Sequence, residues 1–472
     1  MKKSWAAAVA AVCLALVLTS GPRVRAAGGV AIDAANFPDP VFRAYVQTLD
    51  TDGDGELSQA ERDAVTRIDL RNKGLTSLQG IGFFPNLEQL LCNTNSLTEL
   101  DVSGNPKLTQ LFCNENQIGT LDLSQNPALV TLHCFSNRIA ELDLSGNPAL
   151  VELACGDDAL QVLDLRDNPE LRDLSYLGGR LTTLDTSGNP KLEYLWCAVT
   201  SLESLDLSRN TALQTLGCDT NNLTVLDLTA NTALQYVELR NNRLVSVELG
   251  SAAPAQSDNH QQRPTTITLE PGADSFDMAT LDPLFSAARV QNLIGARARG
   301  SVFSGLYPGD TVQYQYTWPS VFIDCELLVE GRNDWLTGPS IQDWTEGQTP
   351  AEPVGTPGWG TPEFLYGSSP DGPFTARKPT AAGQWYLLAR VPAGNGYNGL
   401  ETVVPFRILA PGEATPAPTA PPDTTPSPSP APVPQPPEST PQTGDGAFPA
   451  GWLLAGSLAV LAALCRRARR LG

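Results

Sequence analysis

Leu108-Thr109-Gln110-Leu111-Phe112-Cys113-Asn114-Glu115-Asn116-Gln117-Ile118-Gly119-Thr120-Leu121-Asp122-Leu123-Ser124-Gln125-Asn126-Pro127 is one of a series of near-copies. Its first leucine recurs at Leu87, Leu129, Leu150, Leu171, Leu192, Leu213 and Leu234, each 21 residues from the last. Three residues on come Leu90, Leu111, Leu132, Leu153, Leu174, Leu195, Leu216 and Val237. Two further on stand Cys92, Cys113, Cys134, Cys155, Tyr176, Cys197, Cys218 and Leu239. The second half of each unit approximates Leu-x-x-Leu-Asp-Leu-Ser-x-Asn-Pro. A fixed period of this kind marks a solenoid, in which each unit buries its apolar face only against its neighbours. Eight units with no insertion exclude coincidence. The expected fold is a leucine-rich repeat solenoid, mainly β, over residues 66–250.

Strand residues point alternately in and out. A short strand around Leu-x-Cys and a second extended stretch through Leu-Asp-Leu therefore stack their leucines and cysteines inward. Tyr176 and Leu239 share the cysteine column, so the slot asks for an apolar residue. Rungs ~4.8 Å apart are too widely spaced for a disulfide ladder, and a zinc site needs four converging ligands. The recurrent Asn105, Asn126, Asn147, Asn168, Asn189, Asn210 and Asn231 suit backbone hydrogen bonding at a turn. Outward positions of the first strand present Phe112, His133, Phe135, Tyr194, Trp196 and Tyr236 as ligand-contact candidates. Exposed aromatics are favoured contact residues; ordinary scatter of surface apolar residues is the alternative. The second stretch presents an acidic column running from Asp101 to Glu248, read as a solvated face.

Ahead of the repeats, Asp50-Thr51-Asp52-Gly53-Asp54-Gly55-Glu56-Leu57-Ser58-Gln59-Ala60-Glu61 fits a 12-residue EF-hand calcium loop. Asp50, Asp52 and Asp54 would supply carboxylates, Glu56 its backbone carbonyl, Ser58 a water-mediated contact and Glu61 a bidentate carboxylate. A helix from about Asp39 to Leu49 would lead into it. Calcium, a hard cation, is the one cofactor expected, in a structural role because only one such loop is present. The alternative is a plain Asp/Gly turn before a helix N-cap.

With these motifs together, residues 35–250 resemble internalin-J-like surface proteins of Gram-positive bacteria. The shared features are the cysteine-containing repeat, Phe37-Pro38-Asp39, the calcium-type loop and Gly80-Ile81-Gly82-Phe83-Phe84. The resemblance implies a helical EF-hand-type cap over 27–65 and a solenoid displayed on a bacterial surface as an adhesin or recognition module. It names no ligand.

The chain ends read as addresses. Lys2 and Lys3, an apolar run from Trp5 to Leu18 and Val24-Arg25-Ala26 have the layout of a signal peptide over 1–26. Residues 251–328 are expected to cap the open end of the solenoid, and 329–410 to form an Ig-like β domain. Residues 411–443 form a Pro/Thr/Ser-rich spacer. Residues 444–472 are a tail whose apolar run, 446–465, is long enough to cross a bilayer, with Arg466, Arg467, Arg469 and Arg470 behind it. Thr440-Pro441-Gln442-Thr443-Gly444 resembles a Gram-positive cell-wall sorting signal, with Thr440 where leucine is usual. That resemblance implies sortase cleavage between Thr443 and Gly444 and transfer to peptidoglycan; a plain C-terminal membrane anchor is the alternative.

Over all 472 residues, 51 acidic residues outweigh 31 basic ones, for a net charge of −20. The two ends hold eight of the basic residues, so the exported body is more acidic still. Such a body does not bind nucleic acid, which needs clustered Lys and Arg. Two histidines leave little room for imidazole catalysis or a His-ligated metal. No HExxH, GxSxG or P-loop is present. The reading is a surface-anchored binding protein for a protein or glycan, not an enzyme; a polysaccharide-acting enzyme or a non-binding spacer are the alternatives.

Overall fold

The structure, a computed structural model, describes residues 28–156, 160–176, 178–179, 181–250, 254, 256–257, 260–318 and 321–413. The signal-peptide segment, most of the spacer and the whole sorting tail lie outside them. The described chain opens with strand β1 (Val30–Ala31), helix α1 (Pro40–Gln47), strand β2 (Glu56–Leu57) and helix α2 (Gln59–Asp63). The solenoid follows: β3 (Arg67–Asp69), β4 (Gln89–Leu91), β5 (Gln110–Phe112), β6 (Thr131–His133), β7 (Glu152–Cys155), β8 (Asp173–Tyr176), β9 (Tyr194–Trp196), β10 (Thr215–Gly217), β11 (Asp227–Leu228), β12 (Tyr236–Glu238), β13 (Glu248–Leu249) and β14 (Gln256–Ser257). Strands β3–β10, β12 and β14 form one ten-stranded parallel sheet. Leu90, Leu111, Leu132 and Leu153 pair in register, which is the 21-residue period written in space.

The period exists because a single rung cannot bury its own leucines. Leu87, Leu90, Leu108, Leu111, Leu129 and Leu132 are fully buried, and each contributes roughly 1.5–3 kcal/mol relative to exposure. The cysteine column, Cys92, Cys113, Cys134, Cys155, Cys197 and Cys218, is buried as thiols. Burial pushes Cys92 and Cys197 up to about 12, so the thiolate needed for redox or metal chemistry does not form at neutral pH. Tyr176 fills the same slot and donates its hydroxyl to the Leu160 carbonyl (2.7 Å).

The second extended stretch differs from expectation. Among the described residues only β11 and β13 pair there as strands. The acidic column closes local turns: Asp101, Asp122, Asp143 and Asp206 accept the backbone N–H two residues on at 2.9 Å, and Asp227 of β11 does so at 2.8 Å. Hydrogen bonds from Ser103 hold Asp101 below the ordinary carboxylate range, against the neighbouring Asp122 charge. The column is a turn device first and a charged face second.

Behind it runs a buried amide ladder. Asn126 Nδ2 donates to the carbonyls of Val102 and Asn105, and Asn147 Nδ2 to those of Leu123 and Asn126, all at 3.0–3.1 Å. A second ladder, which the sequence reading did not single out, follows the cysteines. Asn116 Nδ2 donates to the Cys92 and Cys113 carbonyls, and its Oδ1 accepts from Leu97 N; Asn95, Asn137, Asn221 and Asn242 repeat this role. Its sequence signal was the Asn three residues after Cys92, Cys113, Cys134 and Cys218, and after Leu239 in the same column.

Each end of the solenoid is closed. Asp39 caps α1 through Val41 N and Phe42 N, and its other oxygen accepts from Thr76 N (2.8 Å), tying the helix to the first rung. Burial opposes ionisation of Asp39, but the Thr76, Phe42 and Val41 hydrogen bonds outweigh it and lower its pKa. Phe37 packs edge-on to Phe42 and Phe83; Gly80, at φ +97°, leaves the space that the Phe37 ring occupies. At the other end a sheet of residues 260–261, 265–269, 290–294, 311–317 and 322–331 meets the last rung. Tyr314 Oη donates to the Val245 carbonyl (2.7 Å), Trp318 Nε1 to that of Val247 (2.8 Å) and Tyr316 Oη to Glu248 (2.5 Å). Within 329–410, residues 344–345, 363–367, 383–391 and 400–409 form a four-stranded sheet, and 335–340 pairs with 354–357. Trp344, Tyr366, Leu387, Phe406 and Ile408 make a separate small core there.

One expectation is corrected. Among the described residues no helix is long and apolar enough to cross a membrane. The longer of α1 and α2 has eight residues, where a span needs ~20. The expected segment, 446–465, lies outside the described residues, and the transmembrane assignment is not retained.

Asn126→Ala removes two buried hydrogen bonds, to the Val102 and Asn105 carbonyls, each of which keeps one backbone donor, Asn105 N and Leu108 N. It is expected to cost about 2–3 kcal/mol, read from urea denaturation; a loss below about 0.5 kcal/mol would mean the ladder carries no stability.

Candidate functional site

The loop at 50–61 is held by its own backbone. Gly53 and Gly55 sit at φ +69° and +87°, the left-handed region that favours glycine. Asp50 Oδ1 accepts from Gly53 N (2.6 Å) and its Oδ2 from Gly55 N (2.9 Å); Asp54 Oδ1 accepts from Glu56 N (2.8 Å). Carboxylate oxygens of Asp50, Asp52 and Asp54 lie within 4.8 Å of one another. Three converging hard-oxygen donors fit a calcium-sized cation. The Glu56 side chain is buried and its strand pairs with β1. Ser58 is the N-cap of α2. Glu61 is turned to the loop's closure: Oε1 accepts from Thr51 N (2.6 Å) and Thr51 Oγ1 (2.7 Å), Oε2 from Ser58 N (2.9 Å) and Ser58 Oγ (2.8 Å). Burial opposes ionisation of Glu61, but the hydrogen bonds from Thr51 and Ser58 together outweigh it and lower the carboxyl to about 2. Asp50, Asp52, Asp54 and Glu61 are the side chains that could hold the metal.

The sequence-derived aromatics fall on the ten-stranded sheet, save Phe135, two residues past the end of β6, and form two groups separated by β7 and β8. In the first, Phe112 and His133 meet edge-on at 4.5 Å, and Phe135 lies 6.4 Å beyond. His133 Nε2 lies 2.9 Å from Glu152 Oε1. His133 is buried and its phenylalanine neighbours half-buried, where exposure was expected; the reason is that each ring covers the next rung. In the second group, Tyr194 and Trp196 stack at 6.2 Å with 17° between planes. The indole spreads over the next strand, where a Cβ at Gly217 would come within 2.4 Å of the ring. Trp196, Gly217 and Glu238 are register partners. Glu238 is almost fully buried and accepts from Tyr236 Oη (2.9 Å) and Arg240 Nε (2.5 Å). Asp219, two residues past Gly217, has an Oδ1 with no hydrogen-bond partner. Burial, then the Glu238 charge, raises its pKa. Thr443 and Gly444 lie outside the described residues.

The second group coincides with departures from the repeat. Where the first two rungs carry Asn-x-Asn after the cysteine, at 93–95 and 114–116, the Trp196 rung carries Ala198-Val199-Thr200. Val199 is 57% exposed and holds φ +58°, the left-handed conformation that Thr94, Glu115, Ser136, Thr220 and Asn241 hold at the same position of their rungs. Glycine at 217 and the unpaired Asp219 oxygen fall on the rung next to Trp196. Local rule-breaking of this kind concentrates at functional sites.

No protein-family profile matches this chain, and no curated protein matches it. Several solved structures resemble it. The functional domain of InlJ from Listeria monocytogenes, described as including a cysteine ladder, is 18% identical; the match covers 65% of this chain and 100% of that one, with a TM-score of 0.31. An internalin-like protein of Listeria monocytogenes is 19% identical over 64% of this chain and 98% of that one, TM-score 0.36. The internalin InlF of the same organism is 19% identical over 46% and 73%, TM-score 0.38. At these levels no functional argument rests on them.

Asp219→Asn tests this carboxylate. A carboxyl with a raised folded pKa costs stability once it is ionised and costs nothing when both states are protonated. The variant is therefore expected to melt higher than wild type at pH 7, and the gain is expected to vanish as pH falls below the ordinary value of 3.8. Equal melting at pH 7 would remove the unpaired carboxylate from the account.

Proposed function

We propose that this chain is a bacterial surface-binding protein that recognises a protein or glycan ligand through the ten-stranded face of its solenoid. The observation that carries the reading is a contrast within one repeat: inward positions are near-invariant Leu and Cys, while outward positions of the same strands diverge and gather aromatics. Repetition inward serves stacking; variety outward serves recognition. Phe112, His133, Phe135, Tyr194, Trp196 and Tyr236 are the contact residues of this proposal. Export through residues 1–26, and sortase cleavage between Thr443 and Gly444 with transfer to peptidoglycan, would place the solenoid on a Gram-positive cell wall.

Asp50, Asp52, Asp54, Glu56, Ser58 and Glu61 are proposed to bind Ca2+ as a structural clasp on the N-terminal cap. Cations at extracellular concentration suffice for a loop of this kind.

An array of host proteins and glycans probed with the full chain is expected to give discrete signals. Tyr194→Ala with Trp196→Ala should weaken them by about tenfold or more. No signal, or one indifferent to these changes, would favour the spacer reading. Separately, 10 mM calcium should stabilise the chain against EDTA by about 1–3 kcal/mol for a ~10⁻⁴–10⁻³ M site, and Asp50→Asn with Asp52→Asn should abolish the difference. A melting temperature that calcium does not move sinks the clasp.

A further inference from the structure

In a chain with a net charge of −20, carboxylate partners for an arginine are plentiful. Arg67, Arg71, Arg166, Arg172 and Arg240 of the solenoid each lie 2.5–2.9 Å from an Asp or Glu oxygen. Arg243 and Arg263 are placed differently. They stand beside each other, both are exposed, and neither belongs to an ion pair among the described residues.

Their backbones run together where the last rung meets the closing sheet. Arg263 N donates to the Asn242 carbonyl, and Thr265 Oγ1 to the Arg243 carbonyl (2.6 Å). The Arg263 side chain then turns back along the solenoid. Its Nε donates to the Asn241 carbonyl (3.0 Å), and its Nη2 to the Asn221 carbonyl and to Asn222 Oδ1 (2.8 Å). Asn222 stands 21 residues before Arg243, so it holds the same place one rung earlier. To reach it, the Arg263 guanidinium passes alongside Arg243. Those acceptors fix its plane but engage only Nε and Nη2; Nη1 has no acceptor among the described residues. They also bring no negative charge. Partial burial, then the neighbouring Arg243 charge, lowers the Arg263 pKa, and no carboxylate acts against them. A guanidinium does not shed its proton in a protein, so the repulsion persists until an anion offsets it.

We propose that Arg243 and Arg263 form a site for a tetrahedral oxyanion, a phosphate or sulfate group, either free or esterified to a sugar. The two oxygens of a carboxylate match a single guanidinium fork. A phosphate or sulfate group has three or four oxygens, enough to take Nη1 of Arg263 and the unengaged fork of Arg243 together. Arg263 is already held by its carbonyl partners, so little side-chain freedom is lost when the anion binds. A purely structural tie across the rungs accounts for Arg263 but leaves the placement of Arg243 without a reason. The pair lies beyond the end of β12 (Tyr236–Glu238), apart from the aromatic groups of the sheet, and the proposal does not depend on the reading of that face.

The test passes the full chain over one sugar immobilised in four forms: sulfated, phosphorylated, carboxylated and unmodified. Because the chain as a whole is acidic, general attraction to anions is not expected. The sulfated and phosphorylated forms are expected to retain it about fivefold better than the other two. Arg243→Gln should reduce that preference to under about twofold, and Arg243→Lys should keep part of it. Arg299→Gln, which removes the same charge from an exposed arginine elsewhere, should change nothing, and neither should Trp196→Ala. Circular dichroism and melting of each variant confirm folding. Free inorganic sulfate or phosphate that releases the bound chain as well as the soluble sugar ester does shows that the oxyanion alone is read; release by the ester alone shows that the sugar is read with it. Equal retention of the carboxylated and sulfated forms, a preference that survives Arg243→Gln, an equal loss in Arg299→Gln, or no retention at all overturns the proposal. Since Trp196→Ala is expected to weaken the array signals but not this retention, failure of either reading leaves the other standing.

Discussion

The structure depends on one constraint: backbone polar groups turned inward at the corners of a narrow solenoid must find partners without water. Local backbone N–H groups supply some of them, as Asn105 N does for the Val102 carbonyl. Side-chain amides add the links between rungs, Asn126 bridging the carbonyls of Val102 and Asn105, and Asn116 those of Cys92 and Cys113. Each bridge reaches across the repeat, which locks the period at 21 residues and forbids insertions. The leucine stack supplies the driving force; the amides fix the register.

That division of labour leaves the outward sheet positions free. They bear no packing duty toward the core, so their identities can vary with little effect on the fold. The rings found there still shelter one another: Phe112 covers His133, and Trp196 covers Gly217. The face is thus made of preorganised, partly buried surfaces, which lose little side-chain entropy on binding. The amide ladder is interrupted at Thr200, beside the Tyr194–Trp196 pair, as it is at Asp158 and Gly179 on the two preceding rungs.

Much of the fold was legible because periodicity survives in one dimension. The leucine, cysteine and turn-asparagine columns could be read directly, as could the lead-in helix and the convergence of Asp50, Asp52 and Asp54. Three things were not. The acidic column read as a solvated face proved to cap turns, because the hydrogen bond from residue i+2 depends on a local backbone conformation that a charge pattern does not encode. The aromatics read as exposed proved half-buried, because their cover comes from the adjacent rung. The importance of Asp219 and Gly217 had no sequence signal beyond their rung positions.

The sequence by itself determined the solenoid, its register and the identity of every inward column, since a repeat that must stack on copies of itself allows few residues at each core position. The tertiary structure alone decided which outward residues meet. Tyr194, Gly217, Asp219 and Glu238 are separated along the chain by up to 44 residues, and only parallel pairing at 21-residue steps sets them on neighbouring strands. There, burial and neighbouring charge, rather than residue type, leave Glu238 hydrogen-bonded to Tyr236 and Arg240 and the buried Oδ1 of Asp219 without a hydrogen-bond partner.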